Sequence, residues 1–95
     1  PDAVYTSNND TSLGFLKAVN EKGIRIGRDI AVMGNDRIAT LDILGIAFSC
    51  VYRDTYEMGR MAIRLLQERI AHPQKSRSIY MIPYAVKLKG SERKK

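Results

Sequence analysis

The sequence predicts an α/β domain with a largely parallel sheet flanked by helices. Short apolar, β-prone segments alternate with amphipathic helical segments, in the order strand, helix, strand, helix, strand, helix. The second strand segment is apolar throughout, as is typical of a strand covered on both faces. A chain of 95 residues can build one modest core without a metal or disulfide.

The first strand and helix are predicted from residues 3–24. Residues 3–6 are β-prone and run into the polar segment 7–10, which indicates a buried strand followed by a loop. Asp10 or Asn9 is expected to supply the N-cap oxygen of the helix. The helix is predicted to end at Gly23, with Ile24 packing back on its last turn. Its apolar face comprises Leu13, Phe15, Leu16 and Val19.

A second strand and a short helix are predicted next, followed by a third strand. The strand covers residues 30–34 and ends at the turn-forming residues Asn35, Asp36 and Arg37. Residues 38–44 are predicted to form the short helix. Residues 47–51 are predicted to form the third strand, although periodicity alone leaves that apolar run ambiguous.

A long helix and a closing strand complete the predicted fold. Asp54 and Glu57 resemble a capping box, and an apolar stripe continues from there to Ile70. His72 and Pro73 end the helix. Residues 79–82 and 86–88 alternate around Pro83, which predicts a strand at a sheet edge, where a missing amide costs least.

The net charge of +6 is concentrated towards the end of the chain. We predict one compact unit over residues 1–90 and a disordered basic tail over residues 91–95. Such a tail can contact nucleic acid or an acidic surface, but without interleaved aromatic residues a solvated tail is the favoured interpretation.

Composition excludes several classes of protein. One cysteine, Cys50, and one histidine, His72, supply neither a disulfide scaffold nor a zinc finger. No apolar run approaches membrane-spanning length and no signal peptide opens the chain, so we expect a soluble, cytoplasmic protein. The chain starts at Pro1 with an apolar run beginning at Ala3, and we therefore expect it to be a piece of a longer protein.

Polar side chains follow the first two predicted strands, and ligands of parallel sheets collect at such strand ends. Amides and carboxylates there can form hydrogen bonds with the hydroxyls of a small polar ligand such as a sugar. Capping is the favoured role for Asp10, whereas for Asp36 capping and ligand contact are evenly balanced. Arg37 can pair with Asp36 or serve a ligand. The polar set is Asn8, Asn9, Asp10, Asn35 and Asp36.

Catalytic arrangements are not evident in the sequence. His72 is expected in a solvated surface turn, and Cys50 in an apolar strand is expected to be a small core residue. No nucleotide-binding or nucleophile-elbow string occurs. The sequence therefore predicts no enzyme activity, no cofactor and no metal site.

The chain resembles the C-terminal end of bacterial transcription regulators of the LacI/GalR family. The segment PDAVYTSNNDTSLGFLKAVNEKGIRIGRDIAVMGNDR is similar to the family's strand, Asn-Asp loop, Leu-Gly helix and Asp-Ile-hydrophobic-Val-hydrophobic-Gly strand. EMGRMAIRLLQERI is similar to its Glu-Met-Gly helix, and IPYAVKLKGS to its final strand. The resemblance covers nearly the whole chain in register.

The resemblance implies part of the C-terminal subdomain of a periplasmic-binding-protein-like fold, in which a small-molecule effector lies between two subdomains. Asp36 occupies the place of an aspartate that commonly bonds effector hydroxyls, and Asn8 matches an asparagine near the cleft. Three departures are Asn9 for Asp, Asn35 for Phe or Tyr, and Ile46-Ala47 for Pro-Pro. Asn35 is nevertheless kept with Asp36 and Asn8 as a candidate ligand-binding residue.

The resemblance also implies partners. A homodimer is expected through the first helix and the segment after the Asp36 loop. Operator DNA is expected to bind a helix-turn-helix that this chain does not contain, and the effector is expected to be a sugar or sugar phosphate. Plain core packing would give the same apolar pattern on the short helix. The implied dimer residues are Leu13, Leu16, Lys17, Asn20, Leu41, Ile43 and Leu44.

The expected function is therefore effector binding and dimerisation in a regulator that controls operator binding allosterically. A solute-binding transport protein shares this core and is the alternative. The sequence preceding Pro1 separates the two, because a regulator would carry a helix-turn-helix and a transporter a signal peptide. A small α/β enzyme would need a base or nucleophile in a cleft.

Overall fold

Four short strands form one sheet in the order β1-β2-β3-β4. In this computed structural model, which describes residues 1–94, β1 pairs with β2 and β2 pairs with β3, both in parallel. The strands are β1 at Ala3–Thr6, β2 at Ala31–Asn35, β3 at Cys50–Arg53 and β4 at Tyr84–Lys87. The predicted α/β class with a largely parallel sheet is confirmed.

Three helices connect the strands: α1 at Asn9–Glu21, α2 at Ala39–Ile43 and α3 at Thr55–Ala71. Asn8 is the N-cap of α1, since its backbone is extended and its side chain accepts a hydrogen bond from the Thr11 amide at 2.8 Å. The predicted caps Asp10 and Asn9 are therefore wrong. Asp10 instead lies in the first turn of α1, where the helix dipole stabilises a carboxylate.

The end of α1 follows the prediction. Gly23 has φ +68, and the amide of Ile24 donates to the carbonyl of Val19 at 2.9 Å. The Gly23 amide donates to the carbonyl of Asn20 at 3.2 Å, which completes a Schellman motif. Only a glycine adopts this left-handed conformation without steric cost.

The chain divides into two units, each described by itself. One unit comprises Pro1–Tyr52 and the described residues from Ala85 onward, and the other is Arg53–Tyr84. The second unit contains α3, which begins after Asp54 accepts a hydrogen bond from the Glu57 amide at 2.9 Å, and which ends before His72 as predicted.

The core of the first unit surrounds the buried face of β2. Phe48 packs against Gly34 so closely that a Cβ on the glycine would lie 2.4 Å from the ring. This contact requires a residue without a side chain at position 34. The buried cluster comprises Ile30, Val32, Leu41 and Phe48, with Val4, Phe15, Leu16, Ile26 and Ile38 packed against it.

Ser91 completes the sheet where a disordered tail was predicted to begin. Its carbonyl accepts from the Val32 amide at 2.7 Å, and its hydroxyl donates to the Val32 carbonyl at 2.8 Å. Ser91 is 3% exposed, and its hydroxyl also accepts from the Ser49 amide at 2.7 Å. Ser91 itself therefore packs in the first unit, and Lys95 lies outside the described residues.

The same contacts explain why β3 starts later than predicted. Beside Val32, the ladder position on β2 is taken by Ser91, so the chain pairs as β3 only from Cys50 rather than from residue 47. The last strand, β4, covers only Tyr84–Lys87. Residues 79–82 are not a strand, because Pro83 has no amide to donate to a ladder.

Residues 1–94 contain neither a membrane-spanning helix nor a cluster of metal ligands. No helix among them has the length and apolar character needed to cross a membrane. No group of three or more histidine, cysteine, aspartate or glutamate side chains in that range is arranged to hold a metal ion.

Candidate functional site

The carboxyl ends of β1 and β2 lie side by side at one edge of the sheet. Thr6, the last residue of β1, is in register with Gly34 of β2. Ser7 and Asn8 follow β1, while Asn35 ends β2 and Asp36 follows it. The predicted meeting of the two polar loops is therefore present in the fold.

A buried hydroxyl pair fixes the loop after β1. The hydroxyls of Thr6 and Ser12 lie 2.6 Å apart, and these residues are 2% and 0% exposed. The Ser12 hydroxyl also donates to the carbonyl of Asn8 at 2.9 Å. Asn8 uses its side-chain oxygen as the helix cap, so its exposed amide nitrogen is the atom suited to donate to a ligand.

Asn35 joins the two loops directly. Its side-chain amide donates to the backbone carbonyl of Ser7 at 3.1 Å. Asn35 is half-buried, and with its nitrogen used in this way its oxygen is the group suited to accept from a ligand hydroxyl. The family that the sequence resembles usually has Phe or Tyr at the position of Asn35. In this chain, that position carries an amide that links the two loops.

Asp36 adopts an unusual backbone conformation at the end of β2. Its φ is +74, and it is the one residue other than glycine with positive φ among the described residues. The Asp36 amide donates to the carbonyl of Val51 at 2.7 Å. Aspartate adopts a positive φ several times more often than most other residues with side chains. The conformation nevertheless requires support from the surrounding structure.

Arg37 pairs with Asp42, a partner that was not among the roles considered for it in the sequence. Its Nε lies 2.7 Å from the Asp42 carboxylate. Lys89 forms a second ion pair with the same carboxylate. The hydrogen bonds from Lys89 and Arg37 lower the pKa of Asp42 to about 2, and the pairing raises the pKa of Arg37.

The chemistry that these groups offer is directional hydrogen bonding to a small polar ligand. Carboxylate and amide oxygens accept from hydroxyls, and a free amide N–H donates to them. The loops contain no His, Cys or Lys that could act as a base or nucleophile. Cys50 is buried as expected, and burial raises the pKa of its thiol, which makes it a poor nucleophile.

The residues predicted at a dimer interface lie in different environments. Leu13 is 47% exposed, and Ile43 and Leu44 are 82% and 65% exposed. Leu41 is 6% exposed and belongs to the core cluster, so its environment matches the core-packing alternative. Leu16 is half-buried, whereas Lys17 and Asn20 are exposed on α1.

A groove in the first unit brings most of these residues together. We call it the α1 groove. The residues lining it are Leu13, Leu16, Lys17, Val19, Asn20, Ile24, Ile26, Leu41 and Ile46. Ile43 and Leu44, at the end of α2, are not among its lining residues.

Sequence reasoning missed Asp42, Lys89 and the backbone carbonyl of Ser7. No local pattern singles out Asp42, which lies in the first turn of α2, where an acidic residue is common. No local pattern indicates Lys89, which is 47 residues from Asp42 in the chain. A backbone carbonyl has no sequence signature at all.

The known proteins to which this chain is similar agree with one another. Residues 1–91 match the family described as the periplasmic binding protein-like domain. The chain is 31% identical over 94 residues to the HTH-type transcriptional repressor PurR of Mannheimia succiniciproducens, covering 99% of this chain and 28% of that protein. It is 29% identical over 87 residues to the ribose operon repressor of Haemophilus influenzae, covering 90% and 26%.

A solved structure has the same fold. The crystal structure of a LacI family transcriptional regulator from Enterococcus faecium with bound ribose superposes with a TM-score of 0.87 at 22% identity, covering 97% of this chain and 34% of that one. The chain thus spans 26% to 34% of the length of these three proteins. It belongs to the periplasmic binding protein-like domain family, in the form found in LacI/GalR-type regulators.

Proposed function

We propose that this chain forms one side of the effector cleft, and the dimerisation surface, of a cytoplasmic LacI/GalR-type transcriptional regulator. The effector is a sugar or a sugar phosphate. Asp36, Asn35 and Asn8 contact the effector. Effector binding controls how a DNA-binding part outside this chain binds the operator.

The observation that carries the proposal is the hydrogen bond between Asn35 and the Ser7 carbonyl, 3.1 Å long. This bond holds two ligand-competent loops together at the carboxyl edge of a parallel sheet, the usual ligand position in such sheets. The amide and carboxylate groups there suit a ligand with several hydroxyls. The repressor relatives, one of them a ribose operon repressor, are consistent with this chemistry.

An effector of such a regulator acts through its different affinity for two arrangements of the protein. Asp36 would serve this role by bonding the ligand in one arrangement better than in the other. One side of a cleft does not bind a small ligand tightly, because affinity needs convergent groups from both sides. Ligand binding should therefore be measured on the full-length natural protein.

Dimerisation is proposed through the α1 groove together with the exposed end of α2. Leu13 and the pair Ile43 and Leu44 present apolar surface that a second subunit would cover. Two-fold symmetry would place the same patch of both subunits in contact.

A thermal-shift panel tests the proposal. The full-length natural protein is heated with monosaccharides, disaccharides, sugar phosphates and purines. A ligand at 100 times its Kd stabilises a protein by about 2.7 kcal/mol, which moves the melting temperature by several degrees. We expect such a shift from at least one sugar or sugar phosphate. A shift produced by purines alone would contradict the assignment of effector class.

A further inference from the structure

Two buried hydroxyls, those of Thr6 and Ser12, join the end of β1 to the start of α1. We call them the hydroxyl relay. They lie 2.6 Å apart, and the Ser12 hydroxyl lies 2.9 Å from the carbonyl oxygen of Asn8. Ser12 shares the buried face of α1 with Val19 and is 0% exposed. A serine at this position is unusual, because core packing alone favours an apolar side chain there.

The supply of protons fixes the direction of the relay. A carbonyl oxygen only accepts hydrogen bonds, so the Ser12 hydroxyl gives its single proton to the Asn8 carbonyl. In the contact between the two hydroxyls, Thr6 is therefore the donor and Ser12 the acceptor. The relay runs from Thr6 through Ser12 to Asn8.

Asn8 receives this bond in addition to the contacts of an ordinary helix start. Its carbonyl accepts from the backbone amide of Ser12 at 2.9 Å, and its side-chain oxygen accepts from the amide of Thr11 at 2.8 Å. Those two bonds need no particular side chain at positions 6 and 12. The relay needs both hydroxyls, and it links Asn8 to the last residue of β1 through side chains.

Ser7 lies between the two ends of the relay. Its carbonyl accepts the hydrogen bond from the side chain of Asn35 at 3.1 Å. Thr6 on one side of it is 2% exposed and in register with Gly34 of β2. Because the relay restrains the residues on both sides of Ser7, it also restrains the carbonyl that holds Asn35. It therefore acts on both candidate amides, Asn8 and Asn35.

We propose that Thr6 and Ser12 are positioning residues for effector binding: their relay holds residues 6–8 in the conformation from which Asn8 and Asn35 contact the effector. Both hydroxyls are buried, so neither touches the effector itself. The inference rests on the proposed function, in which Asn8 and Asn35 are ligand contacts.

A purely stabilising role predicts a different outcome, and a double variant separates the two. Ser12→Ala leaves the buried Thr6 hydroxyl without its acceptor, which is costly, whereas removing both partners of a buried hydrogen bond is nearly neutral. Thr6→Val combined with Ser12→Ala removes both hydroxyls, and valine has nearly the shape of threonine. The double variant should therefore regain stability without regaining the restraint on Asn8.

The experiment uses the full-length natural protein and three readouts. The first is the melting temperature. The second is hydrogen exchange of the Thr11 amide, which donates to the Asn8 side chain and is resolved by fragmentation mass spectrometry without any effector. The third is calorimetric titration with the sugar or sugar phosphate that gives the largest thermal shift with wild type.

Ser91→Ala is the matched control. It removes another buried hydroxyl of the first unit, one that is bonded to Val32 and Ser49 rather than to residues 6–8. Ser91→Ala should lower the melting temperature and change effector affinity by less than about twofold.

In Ser12→Ala we expect faster exchange of the Thr11 amide and weaker effector affinity, each by about two- to tenfold, the range for one lost hydrogen bond. The double variant should melt at a higher temperature than Ser12→Ala, while its exchange and affinity remain as in Ser12→Ala. Thr6→Ser keeps the donor hydroxyl and should bind the effector more tightly than Thr6→Val.

Three results would each overturn the positioning role. The first is affinity that recovers together with the melting temperature in the double variant. The second is unchanged exchange of the Thr11 amide in Ser12→Ala. The third is an equal loss of affinity in Ser91→Ala, because affinity would then follow stability alone. Tighter binding by Thr6→Val than by Thr6→Ser would also overturn it, since the methyl group and not the hydroxyl would matter.

The two proposals fail in distinguishable ways. Asn8→Asp keeps an oxygen to cap α1 but replaces the amide nitrogen that would donate to the effector. Unchanged affinity in Asn8→Asp would refute the ligand contact at Asn8, whatever the relay does. Weakened affinity in Asn8→Asp with normal affinity and exchange in Ser12→Ala would refute the relay alone. If no sugar or sugar phosphate binds wild type, the exchange comparison still decides whether the relay holds Asn8.

Discussion

Asn35 donates a hydrogen bond from its side chain to the backbone carbonyl of Ser7 at 3.1 Å, across 28 residues of chain. This single bond joins the loops that follow β1 and β2. The loops then form one polar edge rather than two separate turns. The side-chain amide of Asn35 makes the link possible, and a phenylalanine at this position would have no donor for it.

Asn35→Ala should weaken effector binding without unfolding the protein. The lost hydrogen bond is worth about 0.5–1.5 kcal/mol, so affinity should fall by about two- to tenfold in a calorimetric titration. Gln74→Ala, which removes another amide from an exposed turn of the second unit, is the matched control. Equal affinity of Asn35→Ala and wild type would contradict the link between the loops.

Local signals in the sequence were sufficient for much of the fold. Gly23 and Ile24 predict the end of α1 correctly, because a Schellman motif depends on residues within one turn. Asp54 predicts the start of α3 for the same reason. Residues 3–6 were predicted as β1 with the bounds that are observed.

The features that were predicted wrongly or missed are those that depend on residues far apart in the sequence. Ser91 replaces the start of β3 in the ladder beside Val32, and no pattern near residue 47 indicates this. Asp42 finds Lys89 only after the chain has folded. At the site, residue types were predictable from two strand ends, but the ties from Asn35 to Ser7 and from Arg37 to Asp42 were not.

Gly34→Ala should destabilise the first unit. Its added methyl would lie 2.4 Å from the Phe48 ring, and forcing extra volume into a packed core costs about 1–3 kcal/mol. Urea denaturation should show a lower midpoint, and Phe48→Leu should recover part of the loss in the double variant. The control is Gly14→Ala in α1, where nothing lies within 4 Å.

Gly14→Ala should leave stability unchanged or raise it by up to about 1 kcal/mol, because alanine is the better helix former. If Gly34→Ala unfolds at the same urea concentration as wild type, Phe48 does not pack against the glycine as the structure shows.

The ion pairs of Asp42 with Arg37 and Lys89 should respond to acid in a narrow window. The folded pKa of Asp42 is lowered from 3.8 to about 2. Because the folded pKa is depressed, its stabilisation is complete above pH 3.8 and is lost as the pH falls towards 2. The melting temperature of Asp42→Asn should therefore fall less steeply than that of wild type across this window. Parallel curves for the two proteins would contradict the lowered pKa.

The α1 groove should be needed for self-association. Leu13→Glu places a charge in the groove, where a second subunit would have to bury it without a partner. Sedimentation velocity of the full-length natural protein should show a shift from dimer to monomer. Ile79→Glu changes an equally apolar side chain that is 91% exposed outside the groove and should leave the dimer intact. A dimer that survives Leu13→Glu would place the interface elsewhere.

Calorimetric titration of the full-length natural protein with sugars and sugar phosphates, wild type beside Asp36→Ala, tests the effector cleft most directly. Asp29→Ala, which removes an exposed carboxylate that pairs with Arg25, is the control. We predict saturable binding in wild type and in Asp29→Ala, and a loss of at least about tenfold in affinity in Asp36→Ala, since a charged hydrogen bond is worth about 1.5–3 kcal/mol. Unchanged binding by Asp36→Ala would contradict the assignment of this edge of the sheet as the effector site.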